Sequence, residues 1–327
     1  MGEYDLTRRI KDQARALGFD LVGVAPLAPS RYGDFYEAWL ARGYAGDMAY
    51  LARPDAVAKR RDPRLILPEA RSAVVVALNY YQGPLGSRQP GSAASNGLRG
   101  RVARYAWGDD YHDLMWYRLD ALAAFIEAEV GSPVSHRRYV DTGPLLEREL
   151  AVRAGLGWFG KNTMLIHPRL GSWLLLGELL LALDLAPDPP CRADHCGTCT
   201  RCIDACPTRC ILPDRTLDAS RCISYLTIEL KRDQIPADLR PQLGPWIFGC
   251  DLCQEVCPWN RFARPTAAPA FQPRAGLPAP DLHELLALDD QTFRRRFQGS
   301  PIQRARRRGL QRNAAAALAN QEPARDS

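Results

Sequence analysis

The sequence lacks most of the features that mark secreted, membrane-spanning or disordered proteins. Its first 190 and last 70 residues contain no cysteine, although the 327-residue chain has ten. The most apolar run, residues 173–183, contains Glu178 and is too short to span a bilayer. The N-terminus mixes both charge signs and has no basic segment followed by an apolar one, as a signal peptide would. We therefore expect a cytoplasmic protein with no membrane partner.

The ten cysteines are confined to residues 191–257. In a reducing compartment, clustered thiols indicate metal ligands more often than disulfides. Eight of them form two halves of the bacterial ferredoxin motif, in which three thiolates of C-x2-C-x2-C-x3-C-P ligate one 4Fe-4S cluster and the fourth ligates the other. The first half is Cys196, Cys199, Cys202 and Cys206, and the second is Cys222, Cys250, Cys253 and Cys257.

The crossing of ligands between the two halves predicts the members of each cluster site. One 4Fe-4S cluster is assigned Cys196, Cys199, Cys202 and Cys257, and the other Cys206, Cys222, Cys250 and Cys253. A zinc module is the alternative, but a third cysteine two residues on and a Cys-Pro closing both halves suit one tetrahedral ion poorly. Cys191 and Cys210 are then free or buried thiols. Two adjacent clusters indicate a relay for single electrons.

The rest of the chain predicts an α+β protein of several parts. Residues 1–187 alternate amphipathic helices with β-rich runs and include a Gly/Ser/Pro-rich loop over 83–100. The cysteine domain covers 188–262, a proline-rich linker follows over 263–280, two short basic helices cover 281–320, and 321–327 is a tail.

Two polar motifs in the N-terminal part admit a functional and a structural interpretation. Gly155, Gly157 and Gly160 match G-x-G-x-x-G, but a helix precedes them, and Asn162 follows Lys161 where a P-loop has Ser or Thr. A glycine-rich turn whose amides and lysine approach a polar cofactor fits better. Asp141 is either a functional acid or the cap of a helix starting near Pro144, and the pattern alone favours the cap.

Several long motifs, in order, make the chain resemble the epoxyqueuosine reductase family. They are RYAWGDDYH, YVDTGPLLERELA, GLGWFGKNTMLIHPRLGSWLLLGELL, the split ferredoxin motif, CISYLTIEL and FGCDLCQEVCPWN, and the resemblance covers about residues 5–320. It implies a cobalamin-dependent oxidoreductase that converts epoxyqueuosine to queuosine at the tRNA wobble position. It also implies a nitroreductase-like α/β domain that holds cobalamin, a ferredoxin-like domain with two 4Fe-4S clusters, and a short HEAT-like helical pair.

The resemblance also implies roles for particular residues. Asp141 takes the place of the proton-donating acid, which reverses the preference for a helix cap, because cleaving an epoxide requires protonation of a poor leaving group. The implied cobalamin-binding positions are Arg61, Trp107, Asp141, Lys161, Asn162, Ser224, Cys250 and Asp251. Lys231 and Arg232 fall where the family contacts tRNA.

Charge independently favours a nucleic-acid partner. Residues 291–320 contain eight arginines and no acidic residue, a local charge of +8 in a chain of net charge +6. A basic helical pair can follow a phosphate backbone, although a solvated basic face is the alternative. We expect the anticodon stem-loop carrying epoxyqueuosine to contact Arg304, Arg307 and Arg308, a flavodoxin or ferredoxin to supply electrons, and the protein to be a monomer.

Two other functions use the same predicted parts. A corrinoid reductive dehalogenase would apply them to a small organohalide, but it has no need of a basic helical pair. A non-catalytic ferredoxin-type electron carrier would need only the clusters and would leave the N-terminal domain without a role.

Overall fold

The computed structural model describes residues 3–83, 98–192 and 194–322. Most of the predicted loop over 83–100 and of the tail over 321–327 lies outside these residues. The centre of the N-terminal part is a four-stranded antiparallel sheet with strand order β1-β2-β7-β4. Its strands are β1 (Leu21–Pro26), β2 (Ser72–Asn79), β4 (His136–Tyr139) and β7 (Leu174–Leu181).

Helices cover both faces of this sheet, which explains why all eight residues of β2 are buried. Helices α1 (Glu3–Ala16) and α4 (Tyr111–Val130) pack on one face, and α5 (Glu147–Arg153) packs on the other. Helix α4 begins where the Asp110 carboxylate accepts the His112 N–H and ends at Gly131, which has a φ of 76°. The mixture of helices with an antiparallel sheet confirms the α+β prediction.

Short elements connect this sheet to the cysteine domain. Helices α2 (Gly33–Ala41) and α3 (Pro54–Arg61) follow β1, and the indole N–H of Trp39 donates to the Leu217 carbonyl at 2.7 Å. The Gly-rich segment after α5 forms a hairpin of β5 (Trp158–Phe159) and β6 (Leu165–Ile166). A helix therefore precedes the glycines, as the sequence predicted.

The cysteine domain consists mainly of short helices and loops. It contains α6 (Arg201–Asp204), α7 (Ile223–Ile228), β8 (Trp246–Phe248) and α8 (Leu252–Glu255). Strand β8 pairs in parallel with β3 (Arg101–Val102), which comes from the N-terminal part. The two parts therefore share a sheet as well as side-chain contacts.

The C-terminal region has three helices where the sequence predicted two. They are α9 (Leu282–Leu286), α10 (Asp290–Arg296) and α11 (Arg306–Ala319). The first predicted helix is divided because the Asp289 side chain accepts the Thr292 N–H and starts a new helix. The proline-rich segment before α9 inserts Phe271 into the core formed by the sheet, α1 and α4. No helix within the described ranges is long and apolar enough to cross a membrane.

Candidate active site

Asp141 lies just beyond the end of β4 in an unusual backbone conformation. Its φ is 60°, in the left-handed region that residues other than glycine rarely adopt. Its backbone N–H donates to Glu147 Oε1 at 2.6 Å, and the Tyr111 hydroxyl donates to its Oδ2 at 3.0 Å. Helix α5 begins at Glu147 with Leu146 at its N-cap and no side-chain cap. The helix-cap interpretation of Asp141 is therefore wrong.

Two tyrosines lie near Asp141, the buried Tyr111 and the half-buried Tyr105. The rings of Tyr105 and Tyr111 meet edge to face with centroids 6.0 Å apart. Burial, and then the negative charge of Asp141, raise the pKa of both phenols well above the usual value. Both therefore stay protonated at neutral pH and can donate hydrogen bonds to an anionic group on this face.

The basic C-terminal region reaches the same face. The guanidinium of Arg304 donates to both carboxylate oxygens of Glu229, at 2.8 and 3.1 Å. That hydrogen bond first, and the charge of Asp141 among the weaker causes, raise the pKa of Arg304. Tyr50 is 41% exposed beside them, and its pKa is raised by burial and then by the charges of Glu229 and Asp141. An anionic ligand at Arg304 would therefore lie near Asp141.

The predicted members of the first cluster site lie together. Cys196, Cys199, Cys202 and Cys257 line a cavity of about 180 Å³. Burial, and then the charges of the other three thiols, raise the pKa of Cys202 to about 11. The ammonium group of Lys161 donates to the carbonyls of Gly197 and Cys199 at 2.7 and 3.0 Å. Lys161 and Asn162 thus line the cavity of this cysteine group.

The second predicted set also lies together and includes a fifth thiol. Cys206 Sγ is 3.4 Å from Cys210 Sγ, and a hydrogen bond from Cys210 is the main cause that lowers the pKa of Cys206. Burial, and then the charges of Cys250 and Cys222, raise the pKa of Cys253. The charge of Cys202 also acts on Cys253, so the two cysteine groups are neighbours.

The donor sets fit iron–sulfur clusters. Among the described residues, no three His, Cys, Asp or Glu side chains are placed to hold one metal ion between them. The first group instead surrounds a cavity, and each group has the four thiols that a 4Fe-4S cluster needs.

Tyr105 connects the second cysteine group to Asp141. It packs against the same hydrophobic cluster as Cys222 and Cys250, and the charge of Asp141 raises its pKa. The backbone amides of Ser224 and Tyr225 donate to the Cys222 thiol. Ser224 therefore lies at the second cysteine group, and Cys250 packs against the same hydrophobic cluster as Tyr105. A redox cofactor on this face would lie between electron-carrying thiolates and the candidate acid, which fits the implied cobalamin.

The remaining cobalamin candidates are Trp107, Asp251 and Arg61, of which Asp251 lies near the second cysteine group, since its charge raises the pKa of Cys250 and Cys253. Trp107 lines a cleft of about 1320 Å³ that also contains Cys257, and Arg104 stacks over its ring at 4.8 Å. Asp251 is buried and accepts the Arg104 backbone N–H, while burial raises its pKa to about 7. Arg61 pairs at the surface with Asp34 and Glu37, each at 2.6 Å. Its neighbour Arg60 donates to the Gly143 carbonyl in the Asp141 loop, at 3.4 Å.

The tRNA candidates differ in whether an internal acid already pairs with them. Arg304 and Arg307 pair with Glu229 and Asp290, and the exposed Arg232 lies 3.4 Å from Asp47. Lys231 and Arg308 are both exposed, and neither has an acidic partner within salt-bridge distance in the described part of the chain.

The sequence reasoning missed Tyr50, Tyr105, Tyr111, Glu147 and Glu229 at this site. Tyr105 and Tyr111 stand inside the motif RYAWGDDYH, and Glu147 stands in YVDTGPLLERELA. Those two motifs could have indicated Tyr105, Tyr111 and Glu147. Tyr50 and Glu229 lie outside them and come near Asp141 only through tertiary packing.

Family models match two parts of the chain. Residues 60–142 match the family described as "Epoxyqueuosine reductase QueG, DUF1730", and residues 195–260 match the "4Fe-4S double cluster binding domain". The epoxyqueuosine reductase of Pseudomonas aeruginosa is 42% identical over 96% of this chain and 85% of its own. That of Cyclobacterium marinum is 42% identical over 94% of this chain and 95% of its own.

Solved structures show the same likeness. An epoxyqueuosine reductase crystallised with an epoxyqueuosine-modified tRNA-Tyr stem loop matches with a TM-score of 0.88 and 34% identity, over 98% of this chain and 82% of the other. A Bacillus subtilis epoxyqueuosine reductase whose aspartate catalytic loop is swung out of the active site matches with a TM-score of 0.85 and 33% identity, over the same shares.

Proposed function

This chain belongs to the epoxyqueuosine reductase family, and on that premise we propose that it removes the epoxide oxygen of epoxyqueuosine in tRNA. The net change converts an epoxide to an alkene and releases water, so it consumes two electrons and two protons. The observation that carries the proposal is the position of Asp141: the Tyr111 hydroxyl donates to its side chain, and its charge acts on Arg304 and on Tyr105, which packs against the same hydrophobic cluster as Cys222 and Cys250. The candidate proton donor Asp141 is therefore near the predicted cluster ligands of the second cysteine group and near Arg304, a cation that can bind phosphate.

Asp141 holds the proton for the departing oxygen in this proposal. An alkoxide is a poor leaving group, and a carboxylic acid positioned beside it lowers the barrier by protonating it. The Tyr111 hydroxyl restrains Asp141 Oδ2, and the Asp141 backbone N–H is anchored on Glu147. These two hydrogen bonds orient the carboxyl group.

The clusters and cobalamin are the implied cofactors. Residues 195–260 form a 4Fe-4S cluster-binding domain. We assign one cluster to Cys196, Cys199, Cys202 and Cys257 and the other to Cys206, Cys222, Cys250 and Cys253. When bound, cobalamin supplies a strongly reducing metal centre for C–O bond cleavage. Ser224 and Cys250 adjoin the face where Asp141 lies and are the family positions that best fit that cofactor, while a flavodoxin or ferredoxin delivers single electrons.

The tRNA substrate is bound through phosphate contacts. Arg304 is close enough to Asp141 for the two charges to interact, and Arg308 and Lys231 present further positive charge. Phosphate contacts with these cations would orient the anticodon loop so that its modified base can approach Asp141.

Two alternatives are less compatible with these observations. A non-catalytic electron carrier has no use for an acid held in a strained conformation beside the cysteine groups. The relatives from Pseudomonas aeruginosa and Cyclobacterium marinum, each 42% identical over more than nine tenths of this chain, are epoxyqueuosine reductases, so a dehalogenase is not retained.

Replacement of Asp141 tests the proposal. With anaerobically reconstituted protein, cobalamin and stem-loop RNA carrying epoxyqueuosine, Asp141→Asn should lower turnover about 100-fold or more, because general acid catalysis contributes that much. Iron analysis should give about eight irons per chain for both variant and wild type. Asp113→Asn, an exposed aspartate on α4, is the matched control and should turn over normally. Full turnover by Asp141→Asn with both clusters present would disprove the acid role.

A further inference from the structure

Two acidic side chains near Asp141, those of Glu147 and Glu178, are not used by the proposed chemistry. Glu178 is on the central strand β7, opposite Tyr139 of β4, and it is completely buried. Glu147 is the first residue of α5 and accepts the Asp141 N–H. The three carboxyl groups are close enough for the charges of Glu147 and Asp141 to raise the pKa of Glu178.

Glu147 and Glu178 can bond to each other only if one of them carries a proton. Their carboxyl groups are within hydrogen-bonding range, yet both are acceptors when ionised. No described group donates to either oxygen of Glu178. Burial is the largest cause that raises the pKa of both residues, and each is raised further by a neighbouring carboxyl group. A single shared proton lets the half-buried Glu147 and the completely buried Glu178 bond to each other, whereas two ionised carboxylates there would repel each other.

The N-terminal end of α5 also contacts a second residue with a strained backbone, Thr163. Within the described part of residues 1–187, Asp141 and Thr163 are the only residues other than glycine with positive φ, at 60° and 62°. Arg148, next to Glu147, donates to the Thr163 carbonyl and to its hydroxyl. Consecutive residues of α5 thus restrain the Asp141 loop and the loop that carries Lys161. Strained conformations persist only where the surrounding structure determines them.

We propose that Glu147 is the positioning residue that holds Asp141 in its left-handed conformation, and that Glu178 is its buried proton-sharing partner. The Glu147 carboxyl replaces the backbone acceptor that the Asp141 N–H lacks beyond the end of β4. The protonated carboxyl group of Glu178, on strand β7, donates a hydrogen bond to the Glu147 carboxylate. This bond holds the Glu147 carboxylate in the orientation that accepts the Asp141 N–H. Loss of this anchor releases the loop, and the acid is then displaced from the substrate.

Hydrogen exchange and turnover of four variants test the proposal. Glu147→Ala removes the acceptor, so amides of residues 140–143 should exchange faster and turnover should fall about 100-fold, the loss that displacing a catalytic group by about 1 Å can cause. Glu147→Gln keeps a carbonyl that accepts the Asp141 N–H and should restore slow exchange and most of the turnover. Glu178→Gln keeps a neutral donor and should behave like wild type. Glu178→Leu has no donor, so turnover should fall about tenfold, as expected for one hydrogen bond to a charged group.

The turnover measurement rests on the proposed reductase function, whereas the hydrogen-exchange measurement does not, so the two proposals can fail separately. Glu69→Ala removes an exposed carboxylate and should change neither measurement. The exchange readout needs neither cobalamin nor the RNA, so it tests the anchor even if Asp141→Asn proves active. Wild-type exchange and turnover in Glu147→Ala, or a Glu147→Gln variant as defective as Glu147→Ala, would overturn the proposal. If Glu147→Ala does not fold, as judged by circular dichroism, the Gln and Leu variants of Glu178 still decide it.

Discussion

His167 is a polar residue whose role in the fold depends on its being uncharged. Its Nδ1 accepts hydrogen bonds from the backbone N–H groups of Arg169 and Leu170, both at 3.2 Å. Burial, and then the charge of Arg169, lower the His167 pKa from 6.5 to about 4. A protonated Nδ1 could not accept these bonds, so the neutral ring is the form that the turn after β6 requires.

This shift predicts a pH dependence of stability. Because the folded pKa is depressed, the contribution of His167 to the free energy of unfolding is present above pH 6.5 and is lost as pH falls through about 4. In NMR spectra of protein with labelled histidines, one of the five imidazoles should titrate near pH 4 and vanish in His167→Asn. The variant, whose amide oxygen can accept the same N–H groups, should lose less stability than wild type between pH 6.5 and 5. A His167 signal that titrates near pH 6.5 would contradict the assignment.

Single residues could be predicted where their chemistry leaves a spacing pattern. The eight clustered thiols were grouped in fours from spacing alone, and the structure brings the same fours together. Asp141 by contrast looked like a helix cap, because its pattern cannot show that α5 begins only at Glu147. Glu178 was noted only as an interruption of an apolar run. Its pairing with Glu147 depends on the register of β7 against β4, which local sequence does not encode.

At the scale of elements, Asn313 joins helix α11 to the cysteine domain. It is completely buried, and its side-chain amide donates to the carbonyls of Thr227 and Ile247 at 2.7 and 2.8 Å. These carbonyls belong to α7 and β8, so the helix is docked by polar contacts as well as by Leu310 and Ala314. The C-terminal region is therefore integral to the fold around the second cysteine group.

Asn313→Ala should reduce the free energy of unfolding by about 2 kcal/mol, because it leaves two buried carbonyls without a donor. Asn320→Ala is the matched control, since Asn320 also donates to two carbonyls, at 2.8 and 3.2 Å, but at the partly exposed end of the same helix. Water can replace those bonds, so the loss there should stay below about 1 kcal/mol. Urea denaturation of both variants under anaerobic conditions gives the comparison. Equal losses would mean that burial of the amide is unimportant for docking α11.

Elements with strong periodicity were predicted well, and those defined by capping were not. The apolar spacing over 111–130 predicts α4, and the run around Glu178 predicts β7, both as observed. The sequence did not predict the division between α9 and α10. It results from one capping bond, in which the Asp289 carboxylate accepts the Thr292 N–H and starts a new helix despite the continuous helical pattern. The parallel pairing of β3 with β8 joins residues far apart in sequence and leaves no local signal.

For the whole molecule, the distribution of positive charge determines which arginines are available to an RNA. Eight arginines stand in residues 291–320, but several already have partners within the chain. Arg307 pairs with Asp290, and Arg312 donates to the carbonyls of Leu226 and Leu230. The local charge of +8 therefore overstates the free charge on this surface. Composition alone could not show this, because the pairing depends on how α10 and α11 pack.

The free cations should set the salt dependence of tRNA binding. We expect Lys231→Gln and Arg308→Gln each to lower the slope of log affinity against log salt by about 1 for an epoxyqueuosine stem-loop, because each removes one phosphate contact. Arg15→Gln, an exposed arginine of α1 that pairs with Asp12, is the matched control and should leave the slope unchanged. Arg304→Gln should differ from all three, because it also leaves Glu229 unpaired and removes a positive charge that interacts with Asp141, so turnover at saturating RNA should fall. Fluorescence anisotropy between about 50 and 200 mM salt measures the slopes. Identical slopes for Lys231→Gln, Arg308→Gln and Arg15→Gln would show that the RNA binds on another surface.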